Sequence, residues 1–276
     1  MTTVAASSFP SARSSWRFRD ALHDLADGLA RWELWSRLGW QDIRRRYRRS
    51  VVGPFWLTLS MGLVIGGLAY LYAGLFGQHL ENYLPYVALG MIVFTLVSSI
   101  LTDGSTVFIA AGSTILQMKA PLSVHLYQMV WRNILMFAHN IVIYVLIVIF
   151  LRPPLGWNAL LSVPGLVLVI NNCFWVALVL GVLGVRFRDV PPIVSSVMQM
   201  AFVLTPIFWT PASLPTRELF VYLNPFFYLI DIVRMPLMGQ TPPLSMWLIV
   251  AGFNCVSMVV ALMFFARYRT RIAYWV

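Results

Sequence analysis

The sequence predicts an all-α polytopic membrane protein with six transmembrane helices, an N-terminal amphipathic interface helix and short re-entrant helices between spans five and six. Three observations predict it. Of the 276 residues, 59% are hydrophobic and 11% charged, and the mean hydropathy is +0.76, whereas soluble domains run at about 45–50% apolar and about 25% charged. Six apolar stretches come close to or exceed the roughly 20 residues that cross a bilayer. The charges gather at the ends of those stretches, so the net charge of +10 points to a membrane surface and a cytoplasmic partner, not to nucleic acid.

Residues 16 to 38 come first. They place Phe18, Leu22, Leu25, Leu29, Trp32 and Trp35 at spacings of three and four, with Arg19, Asp20, Asp24, Asp27 and Arg31 elsewhere, which draws one apolar stripe on a helix. With no soluble core to pack on, this helix is expected to lie in the membrane interface. Gly39 is expected to interrupt it, and Trp40, Ile43 and Tyr47 continue the pattern. Arg44, Arg45, Arg46, Arg48 and Arg49 follow, five arginines in six positions, and the chain then turns apolar. Residues 1–50 are therefore read as a cytoplasmic tail with its interface helix, and 51–276 as the transmembrane domain. No apolar core ahead of a cleavage site marks a signal peptide.

The spans are expected at about 55–76, 84–110, 124–150, 160–184, 190–210 and 245–266. With the N-terminus inside, sixteen of the twenty Lys and Arg fall on inner segments, three on outer ones (Arg152, Arg217 and Arg234), and Arg132 within a span. That asymmetry places both termini in the cytoplasm, and the arginine run thereby sets topology. Between spans five and six, residues 206 to 243 hold seven of the sixteen prolines around the apolar run "LFVYLNPFFYLIDIVRMPLM". Two short helices dipping into the outer half of the membrane fit this pattern; a helical cap lying flat on the outer surface is the alternative.

Ionisable residues at membrane depth require a reason. Asp103 and Arg132 flank the turn "QMKAPLS" at 117–123 at comparable distance, so either they pair across the hairpin, or Arg132 snorkels and Asp103 faces water. Asp231 and Arg234, three apart, share a helix face and read as a local ion pair. Gly62, Gly66, Ala69 and Ala73 in span one allow close helix contact, through simple packing or a dimer seam. Trp56, Tyr70, Tyr72, Phe76, Phe202, Phe208 and Trp209 fit membrane-interface belts; aromatic faces also suit the apolar C–H patches of a pyranose.

Several chemistries lack their residues. A P-loop needs a lysine after its glycines, and the chain has one lysine, Lys119, in "LQMKAPL". His23, His79, His125 and His139 form no metal-ligand pattern, and no Gly-x-Ser-x-Gly elbow occurs. Cys173 and Cys255 lie in apolar runs and read as small buried hydrophobes, with neither a disulfide nor a metal site expected. No catalytic residue is assigned.

The run "WELWSRLGWQDIRRRYRRSVVGPFW" at 32–56 is similar to the ABC exporter permeases that move polysaccharides, in which a basic Arg-Tyr-x-x-Ser-x-x-Gly-x-x-Trp run precedes span one. Here those positions are Arg46, Tyr47, Ser50, Gly53 and Trp56. "QMKAPLS", "GVRFRDV" at 184–190, "PIFWTPASLP" and "YLNPFFYLIDIVR" fall in the same order as in that family. The likeness runs from about residue 32 to 270 and is greatest to the membrane subunits of O-antigen and related cell-surface polysaccharide exporters of the type-2 ABC fold.

The resemblance implies a homodimer in the bacterial cytoplasmic (inner) membrane, working with two copies of a separate cytoplasmic ATPase that binds ATP and Mg. This chain would bind no cofactor itself. It also implies that Trp32, Trp35, Gln117, Lys119 and Pro121 contact the ATPase. Trp56, Tyr70, Phe202, Phe208 and Trp209 become conduit candidates, and Asn224, Pro225, Asp231 and Arg234 belong to a periplasmic gate. The implied substrate is a lipid-linked polysaccharide, which gives Arg44, Arg45, Arg46, Arg48 and Arg49 a second role as attractors of its pyrophosphate. A small-molecule exporter of the same fold, or a passive channel or scaffold without an ATPase, are the other classes. Lys119→Glu is expected to uncouple ATP hydrolysis from export at normal expression; unchanged export by the variant would remove Lys119 from the coupling turn.

Overall fold

The computed structural model describes residues 18–48, 55–117, 120–153, 156–211 and 218–276, and among these every regular element is helical. In chain order the helices are α1 (Phe18–Ala30), α2 (Trp32–Tyr47), α3 (Phe55–Leu75), α4 (Leu80–Ala110), α5 (Gly112–Gln117), α6 (Ser123–Leu151), α7 (Ser162–Arg186), α8 (Val190–Leu204), α9 (Glu218–Tyr222), α10 (Pro225–Leu237) and α11 (Leu244–Trp275). A short 3-10 turn, Trp157–Leu161, leads into α7. Gly77 sits at φ +61° in the tight connection from α3 to α4, where a side chain would strain the backbone.

Among the described residues, five helices are long and apolar enough to cross a membrane: α3, α4, α6, α7 with its preceding turn, and α11. The fifth of the six expected spans, 190–210, is the exception. α8 is apolar but has 15 residues, about 22 Å of helix against a hydrocarbon core of about 30 Å. Pro206 ends it: a proline disfavours helical backbone in the residue before it, and Thr205 is extended at φ −93°, ψ 140°. The expected break at Gly39 is also corrected. The chain bends at Arg31, φ −83° and ψ 42°, and α2 runs through Gly39 without interruption. Gly39 serves contact instead, since a Cβ there would lie 2.9 Å from Trp131 and 3.1 Å from the Gln128 carbonyl oxygen.

α4 is the central helix, packed by α3, α6, α7, α8 and α10. Its closest neighbour is α7, and small residues make that approach possible. A Cβ on Gly104 would meet Ala177 Cβ at 2.5 Å, one on Gly181 would lie 3.0 Å from the Gly104 carbonyl oxygen, and one on Gly184 would overlap the carbonyl oxygen of Ser105. In span one the small residues divide: Ala69 and Ala73 are buried, whereas Gly66 has nothing within 4 Å. Cys173 is buried as expected, but Cys255 is exposed, because the α11 face bearing Val256 and Val259 is uncovered within the chain.

Two ends of the bundle differ in character. The basic end gathers α1, α2, the turn after α5, the α7–α8 connection and the C-terminal half of α11; the proline-rich end gathers residues 205–211 with α9 and α10. Gly184→Ala forces α4 and α7 apart and is expected to cost about 1–3 kcal/mol, as overpacking does, read as a lower thermal unfolding midpoint in detergent. Gly252→Ala, whose added Cβ meets nothing within 4 Å, is expected to leave that midpoint at or above the parent value.

Candidate functional site

At the proline-rich end the backbone after α8 leaves regular helix, and side chains take over its hydrogen bonds. Tyr83 donates to the Phe208 carbonyl. Tyr86 shares its single hydroxyl hydrogen between the carbonyls of Pro206 at 3.1 Å and Trp209 at 3.0 Å. Arg234 Nη1 also reaches Pro206 O at 2.8 Å, and the Asn224 amide donates to Leu204 O and Thr205 Oγ1. Asn224 caps α10 as well, accepting from Phe226 N at 2.9 Å, with Pro225 in the first helical turn, a position that requires no N–H.

The expected Asp231–Arg234 pair forms and is buried, with side chains 11% and 3% exposed and Arg234 Nε donating to Asp231 Oδ1 at 2.7 Å. The guanidinium lies 3.8 Å from the Tyr86 ring centroid, a cation–π contact. Gly90 admits it, since a Cβ there would sit 3.1 Å from Arg234 Nη1. Asp231, Arg234, Asn224 and Pro225 thus form one clasp joining α10 to α4 and to the broken segment.

At the basic end the hairpin acids and bases converge. Asp103 on α4 pairs with Arg132 on α6 at 2.8 Å and accepts from Asn133 Nδ2 at 3.0 Å. Arg132 also faces Asp42 of α2 at 3.5 Å, and Gln128 donates to Asp42 at 2.7 Å. A cavity of 580 Å³ opens beside them, lined among others by Arg45, Asp103, Thr106 and His125.

A third cluster lies next to it. Asp24, with its side chain wholly buried, accepts from the backbone N–H groups of Leu122 at 3.2 Å and Ser123 at 3.0 Å, the first turn of α6, where an anion is favoured. Arg269 of α11 donates to the same carboxylate at 2.8 Å, and Ser123 Oγ returns a bond to Asp24 O at 2.7 Å. Gly28 clears the space, since a Cβ there would collide with Ser123 Oγ. α1, the start of α6 and α11 are thereby tied at one point beside the 117–123 turn.

Of the residues expected to contact an ATPase, Trp32 and Gln117 are exposed and Pro121 is half-buried. Trp35 packs within the chain, its ring tilted 6.1 Å from Tyr127 and edge-on 5.9 Å from Trp131. Lys119 lies outside the described residues. Arg44, Arg45 and Arg48 are exposed; Arg49 and the Arg46 side chain are outside the described residues, as are Ser50 and Gly53. Among the conduit candidates Phe202 and Phe208 meet at 5.7 Å in a ring cluster with Phe94 and Tyr72, and Trp209 donates to Val203 O. Trp56 and Tyr70 stand apart from them, exposed on α3.

A family model described as ABC-2 type transporter matches residues 33–238, the stretch from α2 through α10. The chain belongs to the ABC-2 type transporter family. This membership implies a membrane-embedded permease and a partnering ATPase subunit. The chain is also similar to the O-antigen export system permease protein RfbA of Myxococcus xanthus, at 22% identity over 190 residues, 67% of this chain and 72% of the relative.

The sequence pattern alone missed Asp24, Asp42, Tyr83 and Tyr86 in this permease. For Asp24 a signal existed: it sits with Ala21 and Gly28 on a small-residue face that admits a neighbouring helix. Asp24→Asn, which sets an NH₂ against a backbone N–H or the Arg269 guanidinium, is expected to cost about 3 kcal/mol, as breaking a buried ion pair does. Reduced yield and a lower unfolding midpoint of the purified permease would show it.

Proposed function

We propose that the chain is the transmembrane permease subunit of an ATP-driven exporter that moves lipid-linked polysaccharide, O-antigen-like, from the cytoplasm to the outside. The observation that carries this reading is the alignment with an O-antigen export permease over 72% of that protein's length. The arrangement at the basic end is consistent with it: exposed Arg44, Arg45 and Arg48 precede span α3 and suit a pyrophosphate as well as lipid headgroups.

In this reading two copies of the permease work with two copies of a cytoplasmic ATPase, which holds ATP and Mg, in the bacterial inner membrane with both termini inside. Residues 1–50 form the cytoplasmic tail and interface helix, and 51–276 the transmembrane domain. α8 and residues 205–211 together make the fifth of six crossings, and α9 and α10 dip back into the outer half. α1 lies in the interface, for Phe18, Leu22 and Leu29 leave most of its apolar stripe exposed, as a helix resting in headgroups requires; Trp32, at the head of α2, is exposed as well.

Closure of the ATPase dimer pushes on Trp32 and the 117–123 turn. The Asp24 cluster carries that push to α11, and the two copies of α3 and α8 part to admit polymer, with α9 and α10 as the outer gate. The driving energy comes from contacts that differ between the two states of the assembly.

A second reading has one observation in its favour. A 380 Å³ cavity lined by Phe227, Tyr228, Met235 and Met246 together with the paired Asp231 and Arg234, among others, suits a small amphiphile, which would make the chain a type-2 exporter of such molecules. The deciding experiment is deletion of this chain followed by extraction of lipid-linked polymer. Polymer is expected to accumulate on the cytoplasmic side and to reappear outside on re-expression. Unchanged surface glycan in the deletion strain, with partner ATPase stimulated by an amphiphile, would replace the polysaccharide reading.

A further inference from the structure

α4 carries a feature that its role as central packing helix does not explain. Thr95, Ser98, Ser99, Thr102, Asp103 and Thr106 fall on one face of this largely apolar helix, and all six are half-buried, not covered. Polar groups at membrane depth are costly unless something satisfies them. Thr106 turns its hydroxyl back to Asp103 O at 3.1 Å. The hydroxyls of Thr95, Ser98, Ser99 and Thr102 bond to no other group among the described residues.

Two of these hydroxyls, those of Ser98 and Thr102, line open space. A 470 Å³ cleft lies between α4 and α8, lined by Phe94, Ser98, Thr102, Ser195, Gln199 and Phe202 among others. α8 packs on α4 and α7; its Val194, Met198 and Ala201 are buried, and its Gln199 is exposed. Thr102 of this cleft is followed in sequence by Asp103 of the 580 Å³ cavity at the basic end. The face therefore runs from charged groups, through uncharged hydroxyls, to the aromatic cluster where Phe94 and Phe202 lie 5.5 Å apart.

We infer that the α4 hydroxyl stripe, whose Ser98 and Thr102 share a cleft with Ser195 and Gln199 of α8, is a track along which the glycan part of the substrate crosses the membrane. The inference rests on the polysaccharide reading and names the residues that meet the sugar. Hydroxyls donate and accept alike, so a row of them can exchange bonds with a succession of sugar hydroxyls. No charged residue stands between Thr95 and Thr102 to hold a sliding chain too firmly. An acyl chain would leave every hydroxyl unsatisfied, and an ionic substrate would find no counter-charge along that stretch. Phe94 and Phe202 offer ring faces to the apolar side of a pyranose.

The test uses the full permease with its partner ATPase in cells. Ser98→Cys and Thr102→Cys, each with Cys255→Ser, are treated with a charged, membrane-impermeant methanethiosulfonate, in a strain that makes polymer and in one that does not. Val145→Cys, on the exposed apolar side of α6, is the comparison. Labelling of both cysteines above the Val145→Cys level without polymer, and its loss with polymer present, is the expected result. Labelling no faster than Val145→Cys overturns the track, since the stripe is then covered by protein or lipid. Labelling unaffected by polymer, in a strain whose export is intact, overturns the track and leaves the polysaccharide reading standing. Absence of export by the parent chain overturns both.

Discussion

A backbone polar group left unpaired in hydrocarbon costs several kcal/mol, and the architecture of the proline-rich end follows from that constraint. Pro206 stops α8 short of a full crossing, which frees carbonyls that a continuous helix would have satisfied. The molecule meets the deficit from three directions: Tyr83 and Tyr86 from α4, Arg234 from α10 and Asn224 from the α10 cap. Each of these groups is amphipathic or is neutralised by a partner, so satisfying the backbone creates no bare charge. Asp231 neutralises Arg234, and the Tyr86 ring covers the guanidinium face.

The same economy governs the basic end, where charges hold helices that the membrane alone would not bring together. Asp24 satisfies two N–H groups at the head of α6 and one guanidinium of α11 with a single carboxylate. Arg132 is held between Asp42 and Asp103. A carboxylate as buried as that of Asp24 adds little net stability compared with apolar packing, but removing its partners is expensive, so it fixes which helices stay together. α1, the head of α6 and α11 are thereby tied to one another at a single carboxylate.

Helix packing supplies the remaining order. Lipid tails are as apolar as leucine, so helices in a bilayer associate through close fit and not through hydrophobic exclusion. The α4–α7 seam obeys this rule through Gly104, Gly181 and Gly184, and it frees the opposite side of α4 to carry hydroxyls.

Much was legible in the sequence because it depended on local or one-dimensional quantities. Apolar run length gave the five long helices, since spanning depends on length and hydropathy alone. Helical spacing of three gave the Asp231–Arg234 pair, and equal distance from a turn left Asp103–Arg132 as one of two open possibilities. The family resemblance, carried by short motifs in order, agrees with the family match over residues 33–238. Other features depended on which helices meet. Asp24 was one of several charged residues off the apolar stripe until α6 and α11 closed on it. Gly39 looked like a break until Trp131 and Gln128 needed its empty side, and residues 190–210 looked like one unbroken helix until the dihedral limit imposed by Pro206 was paired with the donors of α4 and α10. The sequence by itself determined an all-helical membrane chain and where its charges lie, because hydropathy and charge are properties of single residues. Only the tertiary structure decided which broken carbonyls, buried acids and hydroxyls find partners, because satisfying a polar group in a low-dielectric interior depends on contacts between segments far apart in the chain.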